Sequence, residues 1–178
     1  YSDHVGMPLR DALAFVYDCL VGFGIKNQIK IICSGKIITG FDIIKTLATG
    51  ADLCNSARGM MFALGCIQAL ECHANTCPTG VATQDPRLVK GLVPEEKSIR
   101  VARFQHETVK SAMELMASAG ICHPDEVDRH VVSMRVDRTK IQTFAETYPE
   151  LENGCLLNEN TVPENFRSFW KKATAASF

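Results

Sequence analysis

Apolar residues near the beginning of the chain recur at steps of three and four positions, which is the pattern of one helix face. They are Leu9, Leu13, Val16, Leu20 and Phe23. This spacing predicts a helix over residues 8–23. The β-branched run that follows predicts a buried strand over 28–33, as in a parallel sheet that is covered on both sides.

The next stretch repeats this alternation of strand and helix. Thr39 and Asp42 have the spacing of a capping box and predict a helix through Leu47. A second strand is predicted over 51–56, and a second following helix over 58–71. Such alternation with short connections is typical of a parallel α/β sheet. Two strands cannot close a (β/α)8 barrel of about 250 residues, so we expect most of any such barrel to lie upstream.

The remaining pattern predicts one long helix and an irregular C-terminal segment. The long helix is predicted over 94–119, and a short helix is predicted to start over 124–129. The inner face of the long helix is expected to consist of Val101, Phe104, Ala112, Leu115 and Ala119. Beyond Asp137 the pattern is interrupted by prolines and a glycine, which predicts a loose tail with a final amphipathic turn around Trp170.

Composition excludes several classes of function. The chain has 178 residues, a formal net charge of −1 and 46% hydrophobic residues, which is ordinary for a soluble globular protein. The absence of a basic run gives no reason to propose nucleic acid as a partner. No apolar stretch reaches the roughly 20 residues that a membrane span needs. We expect the protein to be located in the cytoplasm.

Three of the eight cysteines are clustered. Cys66, Cys72 and Cys77 give the spacing C-x5-C-x4-C, with Cys66 expected near the end of a helix and Pro78 following the last cysteine. Iron–sulfur clusters are held by cysteine thiolates in this manner, and three ligands favour a three-iron over a four-iron cluster. Structural zinc, with His73 as a fourth ligand, and three unliganded core cysteines are the alternatives that spacing alone leaves open.

A small-residue turn follows each predicted strand and leads into a helix. The first turn consists of Ser34, Gly35 and Lys36, and the second contains Ser56, Ala57 and Arg58. Free backbone N–H groups at such places favour a phosphate, and Arg58 adds a fixed charge. Each turn taken singly could merely connect two elements. As a consecutive pair they suit the phosphate site of a (β/α)8 barrel, which is built from the loops after strands 7 and 8.

Four sequence runs strongly resemble the synthase domain of glutamate synthase. They are SGKIITGFD at 34–42, GAD at 50–52, ALGC at 63–66 and CHANTCPTGVATQD at 72–85. The resemblance covers about residues 1–120 and is most specific around the cysteines. It implies a (β/α)8 barrel that binds FMN beside a [3Fe–4S] cluster.

The resemblance also assigns roles to residues. It makes Cys66, Cys72 and Cys77 the cluster ligands and places Gly35 and Lys36, with Ala57 and Arg58, in two FMN-phosphate loops. By this interpretation residues 1–136 are the C-terminal part of the barrel, with an iron–sulfur loop at 66–80, and residues 137–178 form an extended or helical tail. Lys36 and Ala57 depart from the family, which usually has glycine at these two positions.

The implied function is that of an FMN- and iron–sulfur-dependent oxidoreductase forming L-glutamate by reductive amination of 2-oxoglutarate. Implied partners are 2-oxoglutarate, ammonia or glutamine-derived ammonia, an electron donor such as ferredoxin or an NAD(P)H-linked subunit, and further copies of the chain in an oligomer. The tail favours a stand-alone member of the family over a fragment of the full amidotransferase. An N-alkylglutamate synthase and a non-catalytic electron-transfer subunit are the alternatives. The sequence identifies no catalytic acid or base.

Overall fold

The computed structural model describes residues 5–176. Residues 1–4 of the predicted barrel part (1–136) and residues 177–178 of the predicted tail (137–178) lie outside the described residues. The elements are α1 (Leu9–Gly22), β1 (Ile32–Ser34), α2 (Gly40–Thr49), β2 (Leu53–Asn55), α3 (Arg58–Leu64), α4 (Pro94–Ser118), β3 (Ser133–Arg135), β4 (Ile141–Thr143), α5 (Phe144–Thr147) and α6 (Glu164–Lys172). β1 pairs with β2, and β3 pairs with β4. This is the mixed α/β architecture that the sequence predicts.

The chain divides into two compact units. The first unit contains Thr46–Leu53, the residues up to Cys33, and those from Asp128 onward. The second unit consists of Ser34–Lys45 and Cys54–Val127. All nine residues that the sequence analysis assigns to cofactor or metal binding lie in the second unit.

In the first unit, the C-terminal segment packs against α1. The Phe15 ring of α1 stacks on Phe166 of α6 with 5.4 Å between ring centroids. Arg129 donates to Asp18 at 2.7 Å in a pair that is almost fully buried. Burial of an ion pair requires such close pairing, because an unpartnered charge in the interior is costly. The residues beyond Asp137 are therefore packed rather than loose, and α6 contains the predicted amphipathic turn.

β3 and β4 form an antiparallel hairpin that the sequence analysis does not predict. Met134 lies opposite Gln142 in its register. Each strand has only three residues, which is too short for apolar and polar positions to alternate visibly.

In the second unit, α4 packs against α3. Ala112 and Met116 are buried on the inner face of α4. Leu115 and Ala119, which were predicted on that face, are exposed, so this part of the prediction is wrong. Gly40 approaches the same helix so closely that a Cβ would lie 2.5 Å from the Ala112 nitrogen.

Two boundaries differ most from the predicted ones. The chain forms a 3-10 turn at Lys26–Gln28, and β1 begins only at Ile32. α3 ends at Leu64 rather than near residue 71, because Gly65 adopts a left-handed conformation with φ of 108°.

Among residues 5–176, no helix is both long enough and apolar enough to cross a membrane.

Candidate cofactor site

The first turn lies at the end of β1 and is open to solvent. Ser34, Gly35 and Lys36 are all exposed. Lys36 has φ of 54°, in the left-handed region. A residue with a Cβ pays roughly 1–2 kcal/mol for this conformation, which glycine adopts freely. The backbone therefore explains why glycine suits this position, and Lys36 occupies it under strain.

A capping box fixes the chain between this turn and α2. The Asp42 carboxylate accepts the N–H groups of Thr39 at 3.0 Å and Ile38 at 3.2 Å, and the Thr39 hydroxyl accepts the Asp42 N–H at 3.1 Å. Partial burial opposes ionisation of Asp42, but hydrogen bonds from Lys45 and Thr39 outweigh it and lower its pKa to about 2. The predicted capping box is confirmed.

Hydrogen bonds tie the second turn to the first. The Ser56 hydroxyl donates to the backbone carbonyl of Ile37 at 2.6 Å, and Ile37 directly follows Lys36. The Ser34 hydroxyl donates to the Asn55 carbonyl at 3.4 Å. Each turn thus donates a hydroxyl to a backbone carbonyl directly beside the other turn, and the structure brings the two predicted turns together.

The start of α3 is open on one side and closely packed on the other. Ala57 is the N-cap residue and has no side-chain cap, and both Ala57 and Arg58 are exposed. Gly59 is buried, and a Cβ there would lie 2.7 Å from the Ser56 hydroxyl and 3.2 Å from the Phe104 ring. Packing against α4 therefore holds this turn while its outer surface faces solvent.

The cysteine loop begins where α3 stops. Cys66 lies two residues beyond the end of α3 and is half-buried, so it is near the end of a helix as expected, although the helix is shorter than predicted. Cys72 is exposed at the start of a 3-10 turn, Cys72–Ala74, and Cys77 is buried. Among residues 5–176, no group of three or more His, Cys, Asp or Glu side chains stands close enough to hold a metal ion. The three thiols share one loop without being gathered at one point.

The donor chemistry around Cys77 suits a thiolate ligand. The Thr79 hydroxyl lies 3.4 Å from Cys77 Sγ. This hydroxyl, followed by the N–H groups of Ala82 and Thr79, lowers the pKa of the Cys77 thiol to about 7. The thiolate is the form that binds metals, so these neighbours fit a cysteine that serves as a ligand to iron.

Close backbone packing holds the segment that follows Cys77. Gly80 has φ of 76°, and a Cβ there would lie 2.3 Å from the Leu88 carbonyl oxygen. A Cβ at Gly91 would lie 2.7 Å from the Thr79 carbonyl oxygen. The segment after Cys77 therefore rests directly on backbone, with no room for side chains between.

In the part of the chain that the structure describes, left-handed backbone at non-glycine residues is confined to the predicted site segments. Within the described residues, the four non-glycine positions with positive φ are Lys36, Gln68, Leu70 and Asn75. One lies in the first turn and three lie in the cysteine loop. Strained backbone of this kind tends to occur at functional sites.

Comparison with known proteins gives the family. Residues 1–122 match a family described as a conserved region in glutamate synthase. The chain is similar to the glutamate synthase large subunit-like protein YerD of Bacillus subtilis (strain 168), with 47% identity over 137 residues, covering 76% of this chain and 26% of the relative.

More distant relatives carry related names. Archaeal glutamate synthase (NADPH) of Methanocaldococcus jannaschii is 36% identical over 152 residues, covering 85% of this chain and 28% of the relative. Glutamate synthase (NADPH) large chain of Bacillus subtilis is 28% identical over 169 residues, covering 93% of this chain and 10% of the relative. The chain spans about a quarter of the length of the first two relatives. Because the family match extends over more than half of its residues, the chain belongs to the glutamate synthase family.

Proposed function

We propose that this chain supplies the FMN-phosphate turns and the iron–sulfur loop of an oxidoreductase that forms L-glutamate by reductive amination of 2-oxoglutarate. The observation that carries the proposal is the confinement of strained backbone to these two segments within the described residues. Strain of about 1–3 kcal/mol per residue persists only where the surroundings enforce it. Family membership supplies the chemistry that such enforced geometry would serve.

The phosphate of FMN is proposed to bind between the two turns. Exposed backbone at Gly35 and Ala57 offers N–H groups, and Arg58 offers a charged donor fork that suits phosphate oxygens. The Ser56–Ile37 hydrogen bond supports this assignment, because it ties the turns together before any ligand binds. Preformed geometry reduces the ordering cost of binding.

The three cysteines are proposed to hold a [3Fe–4S] cluster. The hydrogen-bond donors around Cys77 favour its thiolate, and Cys66 and Cys72 lie on the same loop. When bound, the flavin and the cluster would carry the electrons for the reaction. The task of this chain is then to hold both groups in fixed positions and to shield them from competing reactions.

The alternation of β1, α2, β2 and α3 is proposed to be the last two repeats of a (β/α)8 barrel. In such barrels the loops after strands 7 and 8 commonly bind phosphate, which is the place assigned here to the two turns. Residues 1–136 would then belong to the barrel and 137–178 would form a C-terminal extension. The names of two relatives specify NADPH, so an NADPH-linked electron donor is proposed, together with assembly into an oligomer.

The reaction itself provides the test. One 2-oxoglutarate, one ammonia, two electrons and two protons give one L-glutamate and one water. The native protein, purified without oxygen and supplied with a reduced dye, is expected to form glutamate in proportion to the dye oxidised. A primary alkylamine in place of ammonia tests the N-alkylglutamate alternative. Protein that retains FMN and iron but forms no product with either amine would contradict the proposed reaction.

A further inference from the structure

Residues outside the three cysteines hold the loop between Cys72 and Cys77 in place. The side-chain oxygen of Asn75 accepts the Gln84 N–H at 2.7 Å. The Thr83 hydroxyl lies 2.6 Å from the Asn75 carbonyl oxygen and 3.2 Å from its side-chain oxygen. Asn75 and Thr83 together form what we call the clasp.

The clasp is anchored on its far side. The Thr83 hydroxyl accepts the Asp85 N–H at 3.0 Å. The Asp85 carboxylate in turn accepts two hydrogen bonds from Arg87, one from its guanidinium and one from its backbone N–H, each at 2.8 Å. Through these contacts the backbone at Asn75 is tied to a segment that carries its own internal hydrogen bonds.

Asn75 meets two demands at one position. Its φ of 62° is left-handed, which asparagine tolerates better than most residues with a Cβ. Its side chain also provides the acceptor that joins the loop to Gln84. Asn75 lies three residues after Cys72 and two before Cys77, so the direction of the chain at Asn75 sets how these two thiols are placed.

A further hydrogen bond links the two ends of the segment between Glu71 and Thr76. The Thr76 hydroxyl donates to the Glu71 carboxylate, joining the residues next to the two cysteines. Both ends of the turn are thus tied by side chains that are not ligands. Ligands of a metal centre keep their orientation through such outer contacts, and losing one commonly weakens metal retention.

We infer that Asn75 and Thr83 are positioning residues for the iron–sulfur cluster, fixing the separation of Cys72 and Cys77 without touching the metal. The inference rests on the proposed [3Fe–4S] cluster. It requires that loosening the clasp changes how the cluster is held, and not only how stably the chain folds.

The test uses the native protein with its cluster, four variants of the clasp and one control variant. Thr83→Val removes the hydroxyl with little change in volume, and Thr83→Ser restores it. Asn75→Gly keeps the left-handed backbone but removes the acceptor, whereas Asn75→Asp retains an acceptor oxygen. Thr139→Val is the matched control, because Thr139 donates to Asp137 at 3.1 Å in an exposed turn of the first unit.

Loss of iron to a ferrous chelator and the shape of the cluster EPR signal are the two readouts. Thr83→Val and Asn75→Gly are expected to lose iron about fivefold faster, the factor that one net hydrogen bond contributes, and to broaden the EPR line. Thr83→Ser, Asn75→Asp and Thr139→Val are expected to resemble the wild type. Thermal unfolding followed in parallel separates this effect from a general loss of stability.

The outcomes separate the clasp from the cluster itself. Wild-type protein without iron would overturn the proposed function and the clasp with it. Iron-containing Thr83→Val and Asn75→Gly proteins with wild-type EPR signals and rates of iron loss would overturn the clasp alone. If Asn75→Gly does not fold, Thr83→Val decides, because valine has nearly the shape of threonine.

Discussion

Lys36 combines a charge and a strained backbone at one position of the first turn. Its φ of 54° belongs to the conformation that glycine adopts freely, and its exposed side chain carries a positive charge beside the proposed phosphate. The two properties have opposite consequences. The strain lowers the stability of the fold, while the charge favours an anion nearby.

Two substitutions separate these effects. Lys36→Ala and Lys36→Gly both remove the charge, and only glycine relieves the left-handed backbone. We expect both to weaken FMN binding by about threefold at low salt and less at high salt, because an exposed ion pair is worth about 0.2–1 kcal/mol and is screened. Lys36→Gly should exceed Lys36→Ala in free energy of unfolding by about 0.5–1 kcal/mol. Equal stability of the two variants would contradict the strain.

Arg58 is predicted to make the strongest single contact with the FMN phosphate. Arg58→Ala removes a charge-assisted hydrogen bond worth roughly 1.5–3 kcal/mol, which corresponds to a loss of FMN affinity of about 10- to 100-fold. Titration of the apo-protein with FMN measures this loss. Arg138→Ala, which removes an exposed arginine from the β3–β4 turn, is the control and should leave the affinity unchanged. An unchanged affinity in Arg58→Ala would mean that the phosphate binds elsewhere.

Residue types alone indicate the residues that are proposed to bind the cofactors, but not those that are proposed to hold the site in place. Cysteines and a lysine in a glycine position are visible in the residue types alone. Asn75 and Thr83 are not, because their hydrogen bonds depend on where the chain returns eight residues later. An asparagine between two cysteines, which tolerates left-handed backbone, is the one signal that could have indicated the turn.

At the scale of elements, the predictions hold where a local signal decides the structure. The periodic apolar face of α1, the capping box of α2 and the proline at the start of α4 act within a few residues, and these helices agree closely with the predicted bounds. The end of α3 depends on the left-handed conformation of Gly65. Because apolar residues continue beyond Gly65, the sequence pattern does not show that the helix ends there. The tail packs through contacts more than a hundred residues apart, such as Asp11 with Tyr148 and Phe15 with Phe166, which no local pattern reveals.

The capping box of α2 gives a prediction for pH dependence. The pKa of Asp42 is about 2 in the folded chain against an ordinary value of 3.8, so ionised Asp42 stabilises the fold above about pH 4. This stabilisation is lost as the pH falls towards 2. Asp42→Asn is therefore expected to lower the free energy of unfolding by about 1 kcal/mol near neutral pH, after allowance for solvent screening, and by progressively less towards pH 2.

A second capping box supplies the control for this variant. The Glu146 carboxylate accepts the Thr143 N–H at the start of α5, in the first unit. Glu146→Gln weakens a comparable cap away from the proposed cofactor turns. Asp42→Asn should also reduce FMN affinity, because Asp42 holds the chain that follows the first turn, and Glu146→Gln should not. Equal FMN affinities in the two variants, or a pH-independent effect of Asp42→Asn, would contradict the role assigned to this cap.

At the scale of the whole molecule, one compact unit contains both turns and the cysteine loop. The second unit includes every residue assigned here to FMN or iron, while the first unit contains α1 and the C-terminal segment. The chain spans about a quarter of the length of the first relatives that it matches. The proposed function requires that the residues for FMN and for the cluster lie in one cofactor-binding unit, and the second unit contains all of them.

The most direct test of the central claim is the iron content and EPR spectrum of the native protein purified without oxygen. The account predicts about three irons per chain and, after oxidation, a near-isotropic signal of a three-iron cluster. Cys66→Ser, Cys72→Ser and Cys77→Ser should each abolish this signal, whereas Cys122→Ser, at an exposed cysteine outside the loop, should retain it. Stoichiometric zinc without iron, or a signal that survives all three substitutions in the loop, would contradict the account.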